Sequence, residues 1–96
     1  MEMKFNRGDI VVPVGKAWWK IGIVKDGYRF HYNFLVESIR YSVSIGIIGL
    51  ASATDEEMRL ATQEEWDNLK NYHFTPEMIA AVEQNPINYL EQREKR

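Results

Sequence analysis

Two histidines, His31 and His73, are the side chains of this sequence best suited to moving protons near neutral pH, and they lie far apart along the chain. Catalysis by either would need a nucleophile and an orienting carboxylate to converge on it. The sequence offers no such constellation. Ser42 and Ser44 alternate with apolar residues and read as outward strand positions, outside any nucleophile-elbow context. Gly46-Ile47-Ile48-Gly49 lacks the spacing and the lysine of a phosphate loop and reads as a strand end or turn. With no cysteine, disulfides and thiolate metal sites are excluded, and the histidines are too widely spaced to suggest a metal site. His73 falls late in an expected helix, where it complements the dipole, and His31 on the outer face of an expected strand. The chemistry to expect is binding without cofactor or metal, by a protein that is not an enzyme.

Binding chemistry is concentrated in Lys16-Ala17-Trp18-Trp19-Lys20, with Lys25, Tyr28, Arg29 and His31 nearby on an expected hairpin. Such a basic, aromatic surface can place cations on phosphates and stack a base on Trp18. It can equally serve a protein partner, because exposed Trp, Tyr and Arg are enriched at interface hot spots. The plainer alternative packs both tryptophans in the core and leaves the lysines solvated. Charge is also divided: residues 1–54 carry seven Lys/Arg against four acids (+3), and residues 55–96 five against ten (−5). The two parts can dock on each other or face different partners. The acidic stretch of Asp55, Glu56, Glu57, Glu64, Glu65 and Asp67 can meet a basic surface or imitate nucleic acid. It also fits a solvated loop and helix N-terminus.

The elements that must position these residues follow from their patterning. Ninety-six residues suffice for one domain, which buries roughly 60–65% of its unfolded surface. Aromatic and β-branched residues crowd the first sixty positions and helix caps appear only later, so strands precede helices. A first strand is expected from about Asp9 to Pro13, with Ile10 and Val12 inward. Gly15 then marks a loop. A second, about Trp18 to Lys25, has Trp19, Ile21 and Ile23 on one face and Trp18, Lys20, Gly22 and Val24 on the other. Asp26-Gly27 reads as a type I′ hairpin turn, where glycine supplies positive φ. The returning strand places Phe30, Tyr32, Phe34 and Val36 inward and Arg29, His31, Asn33 and Leu35 outward. Near Glu37-Ser38 the parity switches to Ile39, Tyr41, Val43, Ile45 and Ile47, which implies a bulge or bend. Ala51-Ser52-Ala53-Thr54-Asp55 reads as a loop, followed by a closing strand from Glu57 to Ala61 with Met58 and Leu60 inward.

Thr62-Gln63-Glu64-Glu65 is a capping box and starts a helix whose inner face carries Trp66, Leu69 and His73. Thr75-Pro76 starts a second helix with the stripe Met78, Ile79, Val82. Asn85-Pro86 starts a third, in which Ile87 and Leu90 pack before residues 91–96 fray. The stripe is expected to cover the open end of a barrel, with a dimerisation or partner-groove role as the alternative. The start Met1 to Asn6 lacks the apolar region of a signal peptide, and the run Ile45 to Ala51 is far short of the ~20 residues of a membrane helix, so a soluble, cytoplasmic protein is expected.

Arg7-Gly8-Asp9-Ile10-Val11-Val12, then Gly15, then Gly22-Ile23-Val24, resembles the opening of SH3-like barrels of the KOW and Tudor type, over about residues 5–62. Glu57-Met58-Arg59-Leu60-Ala61-Thr62 followed by Glu64-Glu65 looks like the way many small bacteriophage-encoded SH3-like proteins close the barrel and enter a helix. The resemblance implies one mainly β domain over residues 1–96: a five-stranded SH3-like barrel followed by two or three short C-terminal helices over residues 62–96. KOW-type barrels touch RNA, DNA or transcription and ribosome proteins with the loop after their first strand, which corresponds here to Gly15 to Lys20. This chain differs in its adjacent tryptophans and acidic tail, and a protein partner comes first. The expectation is a binding module of the phage regulator or inhibitor type, engaging a host protein or protein–nucleic acid machinery in the host cytoplasm. The alternatives are direct nucleic-acid binding of the KOW type and a structural or assembly protein acting as an oligomer.

Overall fold

Each strand of a small domain needs a covered face, and here the chain covers its sheet on two sides. The computed structural model describes residues 3–31 and 37–95, with the backbone alone at Phe30, His31 and Glu37. Strands β1 (Ile10–Pro13), β2 (Gly22–His31), β3 (Glu37–Ser44), β4 (Leu50–Thr54) and β5 (Met58–Leu60) form one antiparallel sheet in the order β4-β3-β2-β1-β5. Helices α1 (Gln63–Leu69), α2 (Pro76–Gln84) and α3 (Pro86–Glu94) follow. The architecture is strands first and helices second, as the patterning requires.

One face of the sheet lines a core to which every strand contributes: Val11, Val24, Ile39 with Tyr41 and Val43, Ala51 with Ala53, and Met58. Trp19 and Phe5 seal it, the Phe5 ring standing edge-on to Tyr41 at 5.4 Å. A second core lies between Val12, Ile21 and Ile23 and the helices, which contribute Trp66, Ile79, Val82, Tyr89 and Leu90 along with Phe74. Strand β1 is therefore buried on both sides, with Ile10 and Val12 toward the helices and Val11 toward the other core. Alternation anticipated a single inner face. It also placed Trp19 with Ile21 and Ile23, whereas Trp19 joins the first core and the isoleucines the second. The helices pack on β1 and the start of β2 from this second side. Strands β4 and β5 are the sheet's edges, and no pairing joins them among the described residues.

Asp26-Gly27 is not a turn. Strand β2 runs through it, and Gly27, opposite Tyr41, is not among the glycines with positive φ. Val24 pairs with Val43 but Asp26 with Ser42, so Lys25 is an extra residue that bulges from the ladder. Arg7 donates to the Lys25 carbonyl at 3.0 Å and supports the bulge. Glycine is needed at position 27 for proximity instead: a Cβ there would lie 2.9 Å from the Tyr41 ring. The chain reverses between His31 and Glu37, which are paired. The expected alternation from Tyr32 to Val36 lies outside the described residues.

Beyond it, Ile39, Tyr41, Val43 and Ile45 are buried as their parity requires. A 3-10 turn over Gly46–Ile48 then breaks the alternation and leaves Ile47 exposed. Ala51 to Thr54, expected as a loop, belongs to β4, where Ala51 and Ala53 stand opposite Val43 and Tyr41 and are buried with them. Met58 is buried, but Leu60 is exposed where β5 ends and the chain turns into α1.

The capping box forms in full, with Thr62 Oγ1 accepting from the Glu65 amide at 3.1 Å and the Glu65 carboxylate accepting from the Thr62 amide at 2.9 Å. Thr75 caps α2 and Asn85 caps α3. In α3 the buried pair is Tyr89 and Leu90, while Ile87 is exposed. The end of α3 does not fray from Glu91 onward. Glu94 is bound by Arg7 and approached by Lys25 at 4.0 Å, which ties the acidic tail to the basic half of the chain. No helix among the described residues is long and apolar enough to cross a membrane.

Candidate binding site

The segment after β1 is anchored at both ends and open in the middle. At its start, the Val14 amide donates to the Glu57 carbonyl at 2.8 Å and Gly15 turns the chain with φ +84°. At its end, Trp19 and Ile21 are buried in different cores. Between them the Lys20 amide donates to Nε2 of buried His73 at 2.9 Å. Trp18 stands on this loop 60% exposed, whereas Trp19 is 4% exposed. The alternation of the two tryptophans holds, although the loop itself is not a strand.

Beside the loop lies a cleft of about 500 Å³, bounded by Pro13, Lys16, Trp19 and Lys20 on one side and Arg59, Glu65 and Leu69 on the other. Arg59 forks onto Glu65 at 2.8 and 2.6 Å. That guanidinium, with the Thr62 amide, pulls the Glu65 carboxyl down to about 2. The pair is internally neutral, so the lysines set the charge of the cleft. Exposed Val14 and Leu60 adjoin its lining residues in sequence.

His73 is a structural group at this site. Burial, and then the charge of Lys20, lower its pKa, which keeps the imidazole neutral and Nε2 free to accept. Its proton then resides on Nδ1, which is buried. Among the described residues no three His, Asp or Glu side chains gather as a metal site would require.

Of the residues singled out from sequence, the structure gathers Lys16, Trp18 and Lys20 on this loop and disperses the others. Lys25 is the bulge residue near Glu94 and lines a separate cavity of about 220 Å³ with Arg93 and Leu50. Tyr28 lies about 20 Å along β2 from Gly22 at ~3.3 Å per residue. It is opposite Arg40, while Arg29 is opposite Ile39 on the other face, because successive strand residues alternate. The His31 backbone pairs with Glu37, and its side chain lies outside the described residues. Arg59, Glu65 and Leu69 were not anticipated as neighbours of this loop. The capping box marked Glu65 as the start of a helix, but nothing local announced that β5 would bring Arg59 beside β1.

The acidic stretch is largely used internally. Glu57 accepts from the Thr54 amide, which lowers its pKa, Glu65 serves Thr62 and Arg59, and Asp67 approaches Lys70 at 3.6 Å. Compared with protein-family models, with curated proteins and with solved structures, the chain matches none.

Proposed function

We propose that this chain is a non-enzymatic binding module, built on an SH3-like sheet, that engages a protein partner through the Trp18 loop. The observation that carries the reading is an indole 60% exposed on a loop whose flanking residues are locked in two cores and onto His73. An exposed tryptophan held in place loses little conformational freedom on binding, the condition under which a single aromatic dominates an interface. The SH3-like reading is supported by the five-stranded antiparallel sheet, every strand of which contributes to one core. The non-enzymatic reading is supported by His73, whose accepting nitrogen is occupied by a backbone amide.

Lys16 and Lys20 on either side of Trp18 favour a second reading, direct contact with nucleic acid, in which the lysines meet phosphates and the indole stacks on a base. Two measurements separate them. The wild-type protein and Trp18→Ala, immobilised side by side, are exposed to extract of the source cells; a specific protein retained by the first and lost by the second, at equal melting temperature, is the expected result. Equal retention by both would remove Trp18 from the interface. Tryptophan fluorescence is then titrated with single- and double-stranded nucleic acid, and saturable quenching that weakens steeply with salt would establish the second reading through counterion release.

A further inference from the structure

We propose, resting on the reading of the Trp18 loop as an interface, that its partner is an acidic peptide segment. The segment sets one carboxylate on each of Lys16 and Lys20 and lays an apolar or aromatic side chain between them, against the indole and the cleft. The fold leaves these two lysines without an ionic partner. Arg7, Lys25, Arg59 and Lys70 each have a carboxylate within 4.0 Å. Lys16 and Lys20 have none among the described residues, and both are exposed. They stand two residues to either side of Trp18, whose indole is 60% exposed.

The cleft beside them supplies the rest of the recognition surface. Val12, Pro13, Trp19 and Leu69 give it an apolar lining, and its volume of about 500 Å³ lies within the range of ligand-binding clefts. Arg59 is already forked onto Glu65 and also donates to the Leu60 carbonyl at 3.3 Å, so the two lysines are the cations left for a ligand here. A carboxylate on one exposed ammonium gains little by itself. An apolar residue fixed between two such pairs adds the removal of the indole and the cleft lining from water.

Two other occupants fit less well. A nucleic-acid strand follows a continuous basic track, whereas this chain has a net charge of −2 and a pI of about 5.7. The cations that would extend such a track are elsewhere, Lys25 beside Glu94 and Arg29 further along β2. Glu64 and Glu65, in the first turn of α1, add negative charge on the far side of the cleft. A peptide puts its carboxylates only where the lysines are. A second copy of this chain would have to bring free acids, yet its Glu57, Glu65, Glu83 and Glu94 carboxylates are each held by groups of their own copy.

A displayed library of random peptides, selected on the immobilised whole chain, tests the proposal. Peptides enriched by the wild-type protein should carry acids on both sides of an apolar or aromatic residue. The best of them, synthesised, should bind the double variant Lys16→Glu with Lys20→Glu about tenfold more weakly or worse, and its counterpart with amides for carboxylates should lose as much on wild type. Lys16→Gln with Lys20→Gln keeps the test decisive if the reversed pair does not fold. Enriched peptides that are neutral or basic, or equal binding to the lysine variants, would overturn the proposal; if Trp18→Ala still loses those peptides, the loop stands as the interface. Acidic peptides retained equally by Trp18→Ala would overturn both. No enrichment at all would overturn the proposal too, and oligonucleotide binding or a dimer in sedimentation, abolished in the lysine variants, would then assign the lysines to phosphates or to a second copy.

Discussion

Adjacent tryptophans with opposite fates show how much one residue's orientation decides. Trp19→Ala removes a ring that seals the first core and should cost about 3–5 kcal/mol in denaturant unfolding, whereas Trp18→Ala should stay within about 0.5 kcal/mol of wild type while losing the partner. His73 gives a pH dependence. Its folded pKa lies below the ordinary value of 6.5, so the unfolded chain binds the extra proton first as pH falls. The His73 contribution is complete above about pH 6.5 and is lost as pH drops toward the folded pKa, because a protonated Nε2 can no longer accept the Lys20 amide. Denaturant melts at pH 7.5 and 5.5 should show lower stability at the acid value, and His73→Gln, which keeps an acceptor but does not titrate, should reduce that difference. An equal difference in the variant would place the effect elsewhere.

Among the elements, those specified by local chemistry stand where the sequence puts them. The capping box at Thr62 satisfies two amides at the start of α1, so Thr62→Ala should cost about 1 kcal/mol, read as a lowered urea midpoint at unchanged slope. No loss of stability would mean that Glu65, through Arg59, holds the helix start unaided. Asp26-Gly27 shows the converse. Its dipeptide is a strong local turn signal, yet Tyr41 from β3 requires a glycine beneath its ring and Arg7 supports a bulge at Lys25. Both causes lie on other segments, so no reading of residues 24–29 alone could find them.

At the scale of the whole molecule the sheet and helices are mutually dependent, because Val12, Ile21 and Ile23 have the helices as their cover. A chain truncated after Asn85 loses Tyr89, Leu90 and the Glu94 anchor together. In a domain this small such a loss should exceed the marginal stability, and the truncated chain should lack the dispersed amide spectrum and cooperative melt of the full chain. A truncated chain that melts cooperatively would show that the first core stands alone.

What the sequence alone determined is the order of strands then helices, the helix starts at Thr62, Thr75 and Asn85, and the exposure of Trp18 against the burial of Trp19. Each is encoded in side-chain chemistry within a few residues: a cap, a proline at a first turn, an alternation. What only the tertiary structure decided is the course of β2 through Asp26-Gly27, the second core, the cleft that joins Lys16 and Lys20 to Arg59, and the place of β4 at the edge of the sheet. All four depend on partners distant in sequence, and the preference of a short segment is outweighed by the burial and hydrogen bonding that such partners supply.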